Sequence, residues 1–384
     1  MSATASGTMR MFPPDVTDDE RVAAAVLVGL PSMTPARLRA LFAAWPDARD
    51  ALAAIRAHDP EVLTVLRAHV RTTSHTDYVA LVRRWTSSGS WDATARILAA
   101  RGTRVHLAGD DDFPIEEVVP KRPEVLLIEG EGCDALRGPR VAIVGTRAAT
   151  PHGLRDAREL GRFLAQAGCA VVSGMAIGID GAAHIGALDV EGRAVGVVAT
   201  GLDVVYPRRH HVLFERVRRH GCLVSESGFG TKPDASRFPV RNRIIAGLAD
   251  VVVVVEATIK GGARITAERA LEYDRPVLAM PGSRRNAAAA GCNALLADGA
   301  HPLLDPSDVL VALGMTPGSR RSWEPRAQVS GDARRCLDAC GGEPATVDQL
   351  ASRTGLPLED IARCVAECER TGLLERSRGL LWPR

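Results

Sequence analysis

Arg147, Lys232, Arg237, Arg241, Arg243, Lys260, Arg284 and Arg285 stand in or beside segments that follow short Val-rich runs, and few acids share those segments. Guanidinium and ammonium groups suit phosphate oxygens, which a guanidinium takes two at a time. One arginine at one turn would pair a local carboxylate equally well. Repetition along one edge fits a polyanion better than a single small ligand. The stretch FPVRNRIIAGLADVVVVVEA (Phe238 to Ala257) places Arg241, Asn242 and Arg243 shortly before five consecutive valines. These polar residues either solubilise an edge or hold something negative at the mouth of a sheet.

Other chemistries fit these segments less well. The turn GTRAATPHG carries Arg147 where a dinucleotide-binding fingerprint needs its second glycine, which argues against an NAD-type site. The GxxxxGK[ST] phosphate loop is absent, and no cofactor is expected. Asp180 and His184, four apart in GIDGAAH, read either as an acid–base pair or as a helix cap and a buried hydrogen-bonded spacer. No serine or thiol stands in a recognisable nucleophile motif. KGGARITAERA (Lys260 to Ala270) distantly resembles the P-G-G-x-G-T-x-x-E element of LOG-type phosphoribohydrolases, with Glu268 at the matching distance. Lys260 replaces its proline, however, and Arg264 its third glycine. Cys336, Cys340, Cys364 and Cys368 fall as two i, i+4 pairs. Four thiolates could hold zinc, but each pair lies on an apolar helical stripe, so core packing is the favoured reading.

These residues need a frame. The runs VAIV, CAVV, AVGVVA, CLVS, DVVVVV and PVLAM are short and Val-rich, as strands buried on both faces are. Between the first two, Leu154, Ala157, Leu160, Leu164 and Ala167 recur at helical spacing. Alternation of this kind predicts a doubly wound α/β sheet, with ligands beyond the carboxyl ends of the strands. The domain reading is a loose tail over 1–15, a helical SAM-like or helix-hairpin-helix domain over 16–100, and a Rossmann-like domain over 101–315. A Pro-, Gly- and Arg-rich linker over 316–330 and a winged helix over 331–384 complete it. Thr34 and Pro35 suit the start of one N-terminal helix. Thr346 and Gln349 form a capping-box signature near the start of the last unit.

With 46% hydrophobic and 24% charged residues the chain reads as globular. Its net charge is only +2, so a nucleic-acid surface must come from local clustering. Aromatics at 4% argue against a broad stacking platform. Neither an apolar leader nor a membrane-length apolar run stands in the sequence, so the expectation is a cytoplasmic protein with reduced thiols and no membrane partner.

VAIVGTRAATPHG, VVSGMAIGIDGAAHIGAL, GLDVVYP, FPVRNRIIAGLAD and PGSRRNAAAAGCNALLADGA together resemble the DNA-processing protein DprA (Smf) family, over about Val105 to Leu313. The resemblance implies an extended Rossmann-like sheet flanked by a SAM-like helical domain and a winged helix. It also implies a non-enzymatic protein of natural transformation and recombination. Such a protein binds and protects incoming single-stranded DNA, helps load a RecA-type recombinase, and dimerises through the Rossmann domain. Carried onto this sequence, the DNA-binding positions are Gly145, Thr146, Arg147, Phe238, Arg241, Asn242, Arg243 and Lys260, with Lys232 from a variable loop. Arg241 and Arg243 are expected to grip phosphates and Phe238 to stack on a base. The usual S-G-S-L-I-T-A of the family reads GGARITA here, from Gly261 to Ala267, losing both serine hydroxyls and gaining a cation at Arg264. The candidate recognition helix, Pro357 to Thr371, holds four acids against Arg363 and Arg370, so the winged helix is not expected to read DNA. The alternative reading is a LOG-type hydrolase acting on a nucleoside monophosphate through Glu268 and Arg264.

Overall fold

A computed structural model describes residues 19–69, 77–315, 329–340, 344–371, 373–377 and 379–383. The expected tail and nearly all of the expected linker lie outside them. The chain divides into two compact units, Met1–Thr316 and Pro317–Arg384.

The first unit begins with six helices: α1 (Asp19–Gly29), α2 (Pro35–Ala44), α3 (Ala48–Arg56), α4 (Pro60–His69), α5 (Tyr78–Thr86) and α6 (Trp91–Arg101). Thr34 caps α2 by accepting from the Arg37 amide, with Pro35 in the first turn as expected. Leu27, Leu41, Ile55, Leu66 and Trp85 are fully buried among these helices. They do not close a core of their own. The same apolar cluster continues through Val105, Val125, Leu127, Phe214 and Leu223 on one face of the sheet. Arg21 bridges the joint by donating to the Val105 carbonyl and Asp110. At Gly228 a Cβ would sit 2.3 Å from the Gly29 Cα, so a glycine there lets the end of α1 dock. The helices and the sheet thus share one compact unit.

Next come β1 (Arg104–Leu107), β2 (Val125–Glu129), β3 (Arg140–Val144), α7 (Pro151–Gln166), β4 (Ala170–Ser173), α8 (Ile179–Leu188), β5 (Ala194–Val197), α9 (His211–His220) and β6 (Cys222–Ser225). They are followed by α10 (Arg237–Leu248), β7 (Val251–Val254), α11 (Gly262–Glu272), β8 (Val277–Ala279), α12 (Ala290–Ala297), β9 (His301–Pro302) and α13 (Ser307–Ala312). The six expected runs are β3 to β8. The sheet order is β1-β2-β6-β5-β4-β3-β7-β8-β9. β3 to β9 are parallel, while β1 and β2 add an antiparallel margin. Along β7 the valines alternate between two cores, Val252 and Val254 in one and Val251 and Val253 in the other. That is why a continuous valine run is stable here. Winding reverses between β3 and β7, which pair from Val141↔Val251 to Val144↔Val254. A crevice is expected at that switch point.

The second unit runs α14 (Gly331–Cys340), α15 (Val347–Thr354), α16 (Leu358–Arg370) and a ribbon of β10 (Leu374–Ser377) with β11 (Leu380–Pro383). This is the expected winged-helix order, and both halves of the Thr346–Gln349 capping box form. Cys336, Cys340, Cys364 and Cys368 are buried beside Leu350, Ile361 and Val365, where burial pushes the Cys336 thiol up to about 12 and the Cys368 thiol to about 11. They pack as small apolar residues. Among the described residues, no helix is long and apolar enough to cross a membrane.

Candidate nucleic-acid interface

A pocket of about 420 Å³ opens at the β3/β7 switch point. Its first wall is Gly145–Thr146–Arg147, the turn after β3. A Cβ on Gly145 would lie 2.4 Å from an Ile179 side-chain carbon, so glycine permits this approach. The Thr146 amide donates to the Glu256 carbonyl at 2.7 Å. The Glu256 carboxylate accepts from the Thr150 amide at 2.9 Å and its hydroxyl at 2.6 Å, locking the start of α7 to the end of β7. Gly261, Gly262 and Ala263 form the opposite wall. No side chain caps α11, whose N-terminus begins there. Free amides at a helix N-terminus suit an anion.

The first turns of α10 supply Phe238, Pro239, Arg241 and Asn242. Arg147 is exposed, with its guanidinium carbon 4.9 Å from the Phe238 ring centroid. Tyr206 lies on the same ring's flank, 5.5 Å between centroids and tilted by 38°. A cation and a π-face thus meet at the pocket mouth.

Arg241 reaches the pocket floor, but only 5% of it is exposed. Its Nη1 donates to the Gly174 carbonyl at 2.7 Å and to the Val197 carbonyl, tying the ends of β4 and β5 together. Asp180 lies beside it and accepts from the Gly174 amide at 3.1 Å. Burial pushes the Asp180 carboxyl up, with Arg241 opposing, and lowers Arg241 itself to about 10. A Cβ on Gly174 would come within 2.6 Å of an Arg241 nitrogen and 2.7 Å of Asp180 Oδ2. Arg241 thus lines the pocket while its guanidinium holds two carbonyls of the frame beneath it.

Arg243 does not line the pocket. Two residues along a helix point to different sides, and Arg243 is buried in an ion pair with Glu226. Of the two arginines expected to grip phosphates, Arg241 lines the pocket and Arg243 stands outside its lining. Asn242 Nδ2 donates to the Gly262 carbonyl at 3.1 Å, holding the glycine loop. Lys232 and Lys260 are exposed and outside the pocket lining, Lys260 preceding Gly261 directly.

Asp180 and His184 share α8 without forming an acid–base pair. Gly178, with φ of 84°, is the cap, and Asp180 falls in the first turn. His184 is fully buried, with the Ser173 backbone as its polar neighbour. Burial holds its pKa near 4, with the Ser173 backbone opposing, so the ring is neutral at pH 7. Of the hydrolase-like element, Glu268 is exposed and Arg264 lies 3.6 Å from Asp298. Neither lines the pocket.

Tyr206, Arg208 and Arg209, missed as site residues in the sequence, border an adjoining depression that shares Arg147, Ala176 and Phe238 with the first. The run YPRRHH after β5 was the available signal.

Comparison with known proteins follows the same outline. Residues 104–314 match the family model described as DNA recombination-mediator protein A, and residues 322–379 match the DprA winged helix domain. Protein Smf of Synechocystis is 35% identical over 313 residues, covering 72% of this chain and 78% of its own. A putative DNA processing protein DprA of Mycobacterium tuberculosis is 37% identical over 298 residues, covering 73% and 76%. The X-ray structure of DprA from Streptococcus pneumoniae superposes with a TM-score of 0.62 at 30% identity, over 76% of this chain and 96% of that one. Family model, full-length relatives and fold agree, and the chain belongs to the DprA (Smf) family of DNA-processing proteins.

Proposed function

We propose that this protein binds single-stranded DNA across the β3/β7 crevice without chemical turnover. In this reading it is a recombination mediator of natural transformation that protects incoming strands and helps load a RecA-type recombinase. The observation that carries the reading is the exposed Arg147 guanidinium over Phe238 at the pocket mouth. Phosphate and base face recur at every nucleotide, and this pair offers a partner for each. The uncapped start of α11 adds amide donors for a second phosphate. Relatives named as DNA-processing proteins support a DNA ligand. Gly145, Thr146, Arg147, Phe238 and Asn242 are assigned to contact, Lys232 and Lys260 to the surrounding positive field, and Arg241 and Arg243 to architecture. Dimerisation through the Rossmann-like unit is part of the proposal. Exposed Leu304 and Val311 beside the β9 edge offer it an apolar surface, and sedimentation velocity tests it.

The hydrolase alternative needs Glu268 at the ligand, and Glu268 faces solvent outside the pocket. The test is fluorescence anisotropy with labelled oligothymidylate at several salt concentrations, for wild type, Arg147→Ala and Phe238→Ala. Salt-sensitive binding that weakens in both variants is expected, with Phe238→Ala losing the worth of one stacked base, roughly 1–3 kcal/mol. Wild-type protein that fails to bind at low salt would overturn the proposal.

A further inference from the structure

The depression beside the first pocket has a volume of about 350 Å³ and is bordered by Arg147, Phe238, Tyr206, Pro207, Arg208 and Arg209. No carboxylate lines it. Arg208 and Arg209 are exposed, and neither is in an ion pair among the described residues. Arg158, Arg162 and Arg216, by contrast, all converge on Asp189. The segment carrying the two free cations is nevertheless held in place. His210 Nδ1 lies 3.0 Å from the Met175 carbonyl oxygen, and its ring packs so closely on α8 that a Cβ at Gly181 would come within 2.8 Å of it. Tyr206, 39% exposed, presents a ring next to Phe238. Two depressions of nucleotide-sized volume thus flank one ridge of Arg147, Ala176 and Phe238.

We infer that the second depression is a further nucleotide subsite on the same strand path, in which Arg208 and Arg209 hold phosphates and Tyr206 stacks on a base. The inference rests on the single-stranded DNA reading above. A strand leaving the first pocket over the Phe238 ridge meets these groups next, and only an unpaired strand can turn a base onto Tyr206. The subsite extends the footprint in one direction, towards the start of α9.

The test uses the full chain and a ladder of fluorescein-labelled oligothymidylates at several NaCl concentrations. Variants are Arg147→Ala, Arg208→Ala/Arg209→Ala, Tyr206→Ala and Tyr206→Phe. Wild-type affinity should keep rising with length past the point where the double variant levels off. The double variant's slope of log affinity against log salt should be shallower by about 1.4, from two phosphates at roughly 0.7 each. Tyr206→Ala should weaken binding to the longer strands between about fivefold and a hundredfold, with Tyr206→Phe close to wild type. If Arg147→Ala weakens binding while the double variant keeps the wild-type slope and length dependence, the subsite is wrong and the proposed function stands. A double variant weakened equally at every length also overturns the subsite. Wild type that binds no oligothymidylate at all overturns both.

Discussion

Replacing Arg241 by alanine separates a strut from a ligand. In the folded protein its guanidinium holds the Gly174 and Val197 carbonyls and sits beside buried Asp180. Alanine would orphan two buried acceptors, at about 1–3 kcal/mol each. It would also leave Asp180 without its cation, and breaking a buried charge pair costs roughly 3–5 kcal/mol. These effects share one side chain and do not add in full, so about 4 kcal/mol is the expected loss. At roughly 2–4 °C per kcal/mol for a large domain, Tm should fall by about 10 °C. Arg147→Ala removes only an exposed cation–π contact, about 0.5–1 kcal/mol, and should move Tm by no more than ~4 °C. Arg241→Lys keeps the charge without the planar fork and should fall between. Because burial already raises the Asp180 pKa, its carboxyl in the alanine variant can escape the penalty by taking up a proton. The stability deficit should therefore be smaller in acid and larger as pH rises through that raised pKa. Thermal denaturation by circular dichroism, paired with anisotropy at a temperature where all variants are folded, measures both quantities. An Arg241→Ala protein with wild-type Tm and a binding loss as large as that of Arg147→Ala would refute the argument and return Arg241 to the ligand.

Arg243→Ala should likewise cost roughly 3–5 kcal/mol by stranding Glu226, and the fraction that folds should bind oligothymidylate normally; urea denaturation with anisotropy checks this. His184, held near 4 against an ordinary 6.5, stays neutral while the unfolded chain takes up a proton. Its contribution to stability is intact above about pH 6.5 and is lost progressively as pH falls towards 4, by about 3 kcal/mol in total. His184→Leu should flatten that acid loss in urea titrations across the range, read as a difference from wild type because Asp180 and Glu226, both raised by burial, pull the opposite way. In the winged helix, Arg363 lies 2.6 Å from Asp360 on an acid-rich helix. Arg363→Ala/Arg370→Ala should leave DNA affinity within about twofold of wild type in the anisotropy assay, since a net negative helix gains nothing from phosphates.

The sheet was legible because a strand buried on both faces leaves no choice of side chain. The β7 valines feed two cores at once, and only an unbroken apolar run can do that. The sequence pointed only to the carboxyl ends of the strands, and the observed strand order puts the crevice between β3 and β7. By contrast, the union of the N-terminal helices with the sheet is made by contacts between residues far apart in sequence, such as Arg21 with Asp110 and Gly29 with Gly228. Periodicity within either segment carries no trace of them. His184 was similarly opaque: its spacing from Asp180 showed a shared helix face, but not how completely the ring would be enclosed.

The arginines beside the valine run show how composition overstates a binding surface. Arg241, Asn242 and Arg243 are consecutive, so a turn of helix sends them apart: one to the ends of β4 and β5, one to the Gly262 loop, one to Glu226. Both charges among them are thereby answered inside the protein, and neither is free to release counterions on binding DNA. Among the described residues, the exposed cations on this side of the sheet include Arg147, Arg208 and Arg209, together with Lys232 and Lys260. Since salt dependence counts phosphates met by available charge, its slope should follow these exposed side chains and be insensitive to Arg243, however basic the stretch around it reads. A chain with a net charge of only +2 can hold a polyanion on that footing, because the charge that matters is the part left unpaired at one edge of the sheet.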